Sequence, residues 1–223
     1  MKKITLLVLS VCLTTSLCYS QMNLQIKGSY IRNLEKENAG NTFGTGFTLE
    51  FGGSRKALNL YTGASYNFPL SIDKNFTARA YDNFTDPSTI DVAGRHTLTY
   101  YRIELGNRFY FLGEADNYEG ANIYVNLGGE LLFVTNKASY QEFDRDLYTL
   151  GSTGDVNEDG SNKFATNLMF VVGAGIERNL GPGNIFLNVG IAIPAPQTSD
   201  DITSIAPIPL NFNLGYKIFF GGR

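Results

Sequence analysis

Residues 211–220, just before the terminal Gly-Gly-Arg, alternate between apolar and mostly polar side chains. Alternate side chains of a β-strand point to opposite faces, so this segment predicts a strand with two unlike faces. One face carries Phe212, Leu214, Tyr216, Ile218 and Phe220, and the other carries Asn211, Asn213, Gly215, Lys217 and Phe219. The first face suits lipid, whereas the second suits a narrow polar interior better than open water.

Seven earlier segments alternate in the same way and complete a set of eight predicted strands. Their bounds are residues 23–31, 43–51, 58–68, 97–112, 123–133, 164–178 and 185–193. An even number of strands about ten residues long is what a closed membrane barrel requires. The polar faces are rich in Gly, Asn and Tyr, whereas a soluble barrel or sandwich would turn Lys, Glu and Thr to water. We therefore expect an all-β fold, an eight-stranded antiparallel transmembrane up-and-down β-barrel.

The predicted connections alternate in length along the chain. Those after the second, fourth and sixth strands are short, and the others are longer; the two longest are predicted loops over residues 69–96 and 137–163. Short periplasmic turns and long outer loops are typical of outer-membrane barrels, so this parity predicts that both chain ends are periplasmic. Outward aromatic residues near the strand ends favour two interfacial girdles.

The N-terminus has the pattern of a secretory signal peptide. Two lysines precede an apolar run over residues 4–17, and small residues predict cleavage after Ser20. The run is short for a membrane helix and is interrupted by Ser and Thr. The sequence thus predicts a signal peptide over residues 1–20 and one barrel domain over residues 21–223.

Composition argues against several classes of function. The two cysteines, Cys12 and Cys18, lie in the predicted leader, so disulfides, thiolate catalysis and cysteine-bound metals are not expected. Neither cysteine follows the small residue that lipoprotein processing needs. Without the two leader lysines, 16 basic residues stand against 21 acidic ones, a net charge of −5. A nucleic-acid partner is not expected, because such proteins carry a basic excess.

The predicted inward faces carry a balanced set of charges. The set is Lys27, Arg102, Arg108 and Lys217 against Glu50, Glu104, Glu130 and Glu177. Unpaired charges in a narrow lumen would be very costly, so these groups are expected to pair into a hydrogen-bonded plug. An eight-stranded barrel is just wide enough to be filled by side chains, and no broad pore is expected. A proton or ion path is the functional alternative.

Two segments are candidates for chemistry. His96 is the single histidine, but the serine pattern of outer-membrane lipid deacylases does not follow it, and a surface residue at a loop edge is the simpler interpretation. Asp155, Asn157 and Asp159 match the first half of a calcium loop, although Thr166 stands where the bidentate Glu is expected. A looser calcium site or a solvated acidic loop both stay open. No cofactor is expected.

The terminal pattern of Asn213, Gly215, Ile218 and Phe220 resembles the C-terminal signal by which bacterial outer-membrane barrels reach their insertion machinery. With the leader and the eight alternating segments, the chain resembles small outer-membrane barrels of the OmpX and OmpW kind and, more closely, PorT-like barrels of Bacteroidetes. This resemblance implies a non-enzymatic barrel that contacts outer-membrane lipid and a partner of the envelope or a secretion system. A narrow channel for small or apolar solutes and a lipid-modifying enzyme are the alternatives.

Overall fold

The computed structural model describes residues 21–33, 41–52, 58–113, 120–150, 163–195 and 209–220. These residues form the strands β1 (Gln21–Asn33), β2 (Asn41–Gly52), β3 (Leu58–Ala80), β4 (Thr89–Leu112), β5 (Ala121–Tyr140), β6 (Tyr148–Leu150), β7 (Lys163–Leu180), β8 (Gly183–Pro194) and β9 (Pro209–Phe220). No helix of sufficient length and hydropathy to cross a membrane occurs within these ranges. The predicted leader lies outside them.

Eight of the strands close into a barrel. β1, β2, β3, β4, β5, β7, β8 and β9 each pair antiparallel with the next, and β9 pairs back with β1. The closing pair brings the two ends of the barrel chain together, with Met22 opposite Phe220. Strands adjacent in the chain are adjacent in the wall, so the topology is up-and-down. The predicted eight-stranded antiparallel barrel is confirmed.

Tyr61 shows why the inner wall needs glycine. This residue is 1% exposed and points into the barrel from β3. A Cβ atom added to Gly106 would lie 2.8 Å from the Tyr61 hydroxyl oxygen, and one added to Gly128 would lie 2.9 Å from it. Protein interiors are close-packed, so side chains at both glycines would displace the tyrosine.

Residues 69–96 were predicted as a loop, and that prediction is wrong. β3 continues to Ala80 and β4 starts at Thr89, so the two strands form one long hairpin. Their pairing shifts register between Asn67 and Leu70 and then continues. Pro87 and scattered charges pointed to a loop. Pro87 lies in the turn between the two strands, Pro69 lies at the bulge, where proline is tolerated, and charged residues fit the water-facing side of a strand.

The polarity of the two faces inverts along this hairpin. In the barrel part of β3, Asn59 is buried and Phe68 is exposed; beyond the bulge, Phe76 is buried and Asp73 and Arg79 are exposed. On β4, the matching residues are Arg102 inside and Ile103 outside, then Val92 inside and Arg95 outside. The barrel is therefore polar inside and apolar outside, whereas the extension is apolar inside and polar outside.

The predicted loop over residues 137–163 is also wrong in part, because β5 continues to Tyr140 and β6 pairs with the end of β3. The ends of β3, β4 and β5 together with β6 form a small sheet beyond the barrel, here called the projecting sheet (residues 70–80, 89–98, 137–140 and 148–150). Its buried apolar cluster consists of Phe76, Ala78, Val92, Tyr148 and Leu150, with Ala80, Ile90, Tyr140 and Phe143 packed against it. At about 3.3 Å per residue, the hairpin extends roughly 35 Å past the bulge.

Candidate functional site

Aromatic side chains surround the barrel at the level where the polarity inverts. Seven of the eight barrel strands contribute one or two rings, and neighbouring ring centroids lie 5.0 to 6.0 Å apart. We call this ring the upper aromatic belt; it comprises Tyr30, Phe43, Tyr66, Phe68, Tyr101, Phe133, Phe164 and Phe212. Four of these five contacts bridge adjacent strands, as in the cross-strand pairs that stabilise sheets, and the fifth, between Tyr66 and Phe68, lies within β3.

The outer wall below the belt is apolar. Its exposed side chains include Ile26, Phe47, Ile103, Leu105, Leu127, Leu131, Leu168, Phe170, Val172, Leu187, Val189 and Leu214. Phe109, Phe111 and Phe220 lie at its other end and are 37%, 73% and 45% exposed. Ten residues of tilted strand separate Tyr101 from Phe111, which corresponds to a band about 25 Å tall. An apolar surface this large is a contact surface for a membrane or a partner.

The half of the lumen near the chain ends holds a dense ionic network. Lys217 is 0% exposed, and its Nζ lies 3.0 Å from Glu50 Oε2 and 3.2 Å from Glu177 Oε2. The Arg108 guanidinium lies 2.9 Å from Glu50 Oε2 and over the ring of Tyr124, 4.4 Å from its centroid. Buried carboxylates thus lie beside buried cations, which offsets the cost of removing them from water.

Neutral side chains complete this network. Glu50 accepts hydrogen bonds from Asn59 Nδ2 at 2.7 Å, Gln25 Nε2 at 2.9 Å and the Tyr110 hydroxyl at 2.8 Å. The Tyr110 hydroxyl in turn accepts a hydrogen bond from Lys217 Nζ at 2.9 Å. Each oxygen of the Glu50 carboxylate therefore has partners, as buried charges require.

The other four predicted lumen charges lie at mid-height. Lys27 forms an ion pair with Glu104, and Arg102 lies 3.8 Å from Glu130 Oε2. Arg102 also donates hydrogen bonds to Asn211 Oδ1 at 2.9 Å and to the hydroxyl of Ser29 at 3.4 Å. The structure therefore places all eight predicted charges inside the barrel and brings cations and carboxylates together. All are at most 5% exposed except Glu104, whose side chain is 14% exposed.

The lumen changes character toward the projecting sheet. Its wall on β4, β5, β7 and β8 packs a buried apolar cluster of Tyr100, Leu132, Val134, Ala165, Met169, Val171 and Ala192, with Leu98 against it. The opposite wall remains polar, with Ser29 and Asn67 buried. The described side chains therefore fill the lumen by ion pairs at one end and by apolar packing at the other.

The apex of the long hairpin, residues 81–88, presents aromatic side chains to solvent. Phe84 is 96% exposed and Tyr81 is 65% exposed. Asp82 Oδ1 accepts hydrogen bonds from the Thr85 hydroxyl at 2.7 Å, from Thr85 N–H at 2.7 Å and from Phe84 N–H at 3.0 Å. These hydrogen bonds, that of the Thr85 hydroxyl first, lower the pKa of Asp82. The Asp82 carboxylate therefore braces the turn that carries Phe84.

The segment after β5 packs beside this apex. Tyr81 N–H donates to the carbonyl of Leu147 at 3.0 Å, and the Tyr148 hydroxyl donates to the carbonyl of Pro87 at 2.9 Å. Leu147 is 44% exposed and adds to the apolar surface. The surrounding charged residues are mostly acidic: Asp82, Asp86, Asp91, Glu142, Asp144 and Asp146 against Arg79 and Arg145. The apex thus combines exposed apolar side chains with an acidic rim.

His96 does not lie on the surface, and the surface interpretation is wrong. Its inward position on β4 leaves it 8% exposed, with Nδ1 3.3 Å from Asn136 Oδ1 and its ring stacked on Phe76 at 5.2 Å. The strand continues past this residue, so its side chain points into the region between lumen and projecting sheet.

The other candidates have separate locations. Asp155, Asn157 and Asp159 fall in residues 151–162, outside the described residues. Within the described ranges, no group of three His, Cys, Asp or Glu side chains could hold a metal ion. Among the terminal-pattern residues, Asn213 is 8% exposed and donates to Asn188 Oδ1 at 3.4 Å, whereas Phe220 is 45% exposed on the outer wall. Gly215 faces Phe186 and Ile218 is half-buried.

Sequence reasoning missed the hairpin apex with Tyr81 and Phe84, because residues 69–96 were not predicted as strand. A signal was present. Leu70, Ile72, Phe76 and Ala78 continue the even-numbered apolar positions of β3, and the bulge between Asn67 and Leu70 turns these positions inward.

No protein-family model and no curated protein sequence matches the chain. Similar solved structures include Neisserial surface protein A, at 11% identity over 90% of this chain and 97% of that one, with a TM-score of 0.48. The N-terminal β-barrel domain of Pseudomonas aeruginosa OprF has 12% identity, 89% and 97% coverage and a TM-score of 0.46. Ail, the attachment invasion locus protein of Yersinia pestis, has 12% identity, 90% and 97% coverage and a TM-score of 0.44. At such low identity, the likeness concerns the fold alone.

Proposed function

We propose that the protein is an integral β-barrel of the bacterial outer membrane. The observation that carries the proposal is the inversion of polarity at the upper aromatic belt. Below the belt the outer wall is apolar over about 25 Å, which matches the apolar band of outer-membrane barrels. Above it the outer faces of the same strands carry Asp73, Arg79 and Arg95. The surrounding medium therefore changes from hydrocarbon to water at the belt, where aromatic rings are favoured.

The projecting sheet is proposed to face the cell exterior. It lies at the end of the barrel opposite the paired chain ends, Met22 and Phe220. Chain ends on the periplasmic side and long extensions outside are typical of this class. The predicted signal peptide over residues 1–20 and the terminal pattern of β9 support the same destination.

Cysteine labelling tests both residence and orientation. In intact cells, a membrane-impermeant maleimide should label Phe84→Cys, whereas Arg178→Cys on the opposite rim should react only after the outer membrane is opened. Residues 21–223 contain no native cysteine, so the background is low. The reverse labelling pattern would contradict the orientation. Recovery of the protein in the soluble fraction without detergent would contradict membrane residence.

The role proposed for the barrel is to hold the projecting sheet as a non-enzymatic recognition element for a protein partner of the envelope or the environment. Tyr81, Phe84 and Leu147 form the contact patch, and the acidic residues around it form the rim. A preorganised patch loses little conformational entropy on binding. The complementary partner surface has an apolar pocket rimmed by Lys and Arg, because aromatic anchors and opposite charge favour specific docking.

A displayed random-peptide library is the probe for this recognition. Selection on the protein in lipid nanodiscs should enrich sequences that combine aromatic or aliphatic residues with Lys or Arg. The enriched peptides should lose at least about tenfold in affinity against a Tyr81→Ser, Phe84→Ser variant, as expected for hot-spot aromatics. Thr77→Ala, on the outer face of the projecting sheet, is the matched control. Peptides that bind the double variant as well as the wild type would contradict the assignment.

The filled lumen supports a barrel that does not conduct. Ion pairs close one half, and the apolar cluster around Leu132 and Met169 occupies the other. Refolded protein in planar bilayers should therefore show no stable unitary conductance steps. Such steps in the wild-type protein would instead favour the narrow-channel alternative.

A further inference from the structure

A polar surface separate from the hairpin apex lies on the outer wall of β4 and β5, just above the upper aromatic belt. Tyr101 pairs with Phe133 in the belt, and Thr99 with Thr135, Thr97 with Lys137 and Arg95 with Ser139 follow outward along the two strands. These residues all point away from the lumen, because the alternate positions, Tyr100, Asn136 and Ala138 among them, are buried. Two cations and several hydroxyl groups therefore share one outward face.

The two cations can act on one ligand. Lys137 pairs with Thr97, two residues from Arg95 on the same strand, and such diagonal neighbours lie about 7–8 Å apart. Lys137 is exposed and has no ion-pair partner within the described ranges. Long basic side chains at this spacing can contact a single phosphate from two sides.

Asp73, on the neighbouring strand β3, orients the Arg95 side chain. Its Nε donates to Asp73 Oδ1 at 2.7 Å, and the side chains are 59% and 74% exposed. In the described part of the chain, this bond leaves the two terminal guanidinium nitrogens without a hydrogen bond. The Asp73 carboxylate thus fixes the guanidinium and still leaves two donors for an anion.

Height above the belt identifies the source of the anion. Lys137 lies four residues beyond Phe133, which is about 10 Å along the barrel axis for a strand tilted by roughly 40°. Aromatic belts mark the membrane interface, and the headgroup layer adds roughly 5–8 Å on each side of the hydrocarbon. An extended Lys137 side chain at this height reaches the level of lipid phosphates. Arg95 lies two residues farther out, about 5 Å higher, so its guanidinium approaches the same phosphate from the outer side.

We propose that Lys137 and Arg95 bind a phosphate of a phosphorylated glycolipid in the outer leaflet, with the hydroxyl groups of Thr97 and Thr135 beside the sugar. The ligand class is a lipid A-type headgroup. The site rests on the orientation proposed above, and it is separate from the hairpin apex. It would hold a boundary lipid against the wall that supports the projecting sheet.

Binding of bisphosphorylated lipid A to the protein in phosphatidylcholine nanodiscs tests the site. Lys137→Gln or Arg95→Gln should each weaken binding about fivefold, and the double variant about 25-fold, because each basic residue near an anionic surface contributes about 1 kcal/mol. Dephosphorylated lipid A should bind wild type and double variant equally weakly. Arg178→Gln, an exposed cation on the opposite rim, should leave binding unchanged.

The outcomes separate this proposal from its premise. Heat-modifiable gel migration of each sample reports a folded, inserted barrel and should be the same in every variant. Undiminished lipid A binding by a folded double variant would overturn the site, as would an equal loss with Arg178→Gln. Inorganic phosphate that binds as tightly as lipid A would overturn the lipid source. Failure of the wild type to insert would instead contradict the proposed function.

Discussion

The barrel lumen and the projecting sheet are built from the same strands but have opposite interiors. In the lumen, Lys217 and Glu50 are 0% exposed and paired, whereas in the projecting sheet Phe76 and Ala78 are 8% and 0% exposed. Only one bulge separates the two regions on β3. On β3 this bulge turns the even-numbered positions from the outer face to the inner face, whereas β4 runs through the same level without a bulge and its inward residues change from polar to apolar.

The surrounding medium explains the difference. Above the belt, water surrounds the sheet, so apolar side chains gain free energy by turning inward. Below the belt, the apolar outer wall already satisfies the apolar side chains, and the interior collects the polar ones, which must then pair with one another. The lumen thus depends on the matching of charges, and the projecting sheet depends on apolar packing.

Removal of one buried charge should have the largest effect. Lys217→Met removes one of the two buried cations, Lys217 and Arg108, that Glu50 and Glu177 share, and should lower the free energy of unfolding by about 3–5 kcal/mol. Urea titration of the protein in lipid vesicles measures this change. Arg178→Met, an exposed cation, should stay within about 0.5 kcal/mol. A loss below about 1 kcal/mol for Lys217→Met would show that the lumen does not depend on charge matching.

Truncation in the projecting sheet should act locally. Phe76→Ala removes the aromatic side chain from the small apolar cluster, a change that costs about 3 kcal/mol in a packed core. Hydrogen exchange should accelerate in residues 70–80 and 148–150 but not in residues 58–66, because the barrel keeps its own interior. Thr77→Ala on the opposite face is the control. Faster exchange throughout the barrel would show that the two regions are one cooperative unit.

A methyl group in the lumen should have a smaller effect. A Cβ atom on Gly175 would overlap the ring of Tyr124, so Gly175→Ala should destabilise the barrel by about 1–3 kcal/mol. On the outer wall, a Cβ on Gly28 has its nearest neighbour, the Leu214 carbonyl oxygen, at 3.8 Å. Gly28→Ala should therefore be neutral or slightly stabilising in the same urea titration. Equal losses of stability at both sites would show that the backbone conformation of glycine, and not the space around the added Cβ atom, determines the effect.

The smallest effect expected is the response of the hairpin apex to pH. Hydrogen bonds from Thr85 and Phe84 lower the pKa of Asp82, so its carboxylate stabilises the turn above the ordinary value of about 3.9 and loses this contribution as pH falls through the lowered pKa. The protection factor of the Thr85 amide, the unstructured exchange rate divided by the observed rate at the same pH, should therefore stay constant near pH 5 and fall only below pH of about 4. Asp82→Asn should remove the pH dependence. An unchanged acid response in Asp82→Asn would assign it to another group.

Strand-level alternation allowed much of the fold to be derived from the sequence. The segments around Glu50, Arg102 and Lys217 each show two unlike faces, and all three charges lie in the lumen. The same rule was applied too narrowly beyond Pro69. Leu70, Ile72, Phe76 and Ala78 keep the even-numbered apolar phase of β3, and what the alternation does not show is the bulge that turns this phase inward.

The sequence alone determined which faces are apolar, how many strands the barrel needs and that its inward charges balance, because a period of two residues is a local property of a strand. Only the tertiary structure decided which charge meets which, as with Lys217 and Tyr110, 107 positions apart, or Arg102 and Asn211, 109 apart. Those pairs depend on strand register and on closure of the barrel. Register and closure arise from contacts between distant segments, which no local pattern encodes.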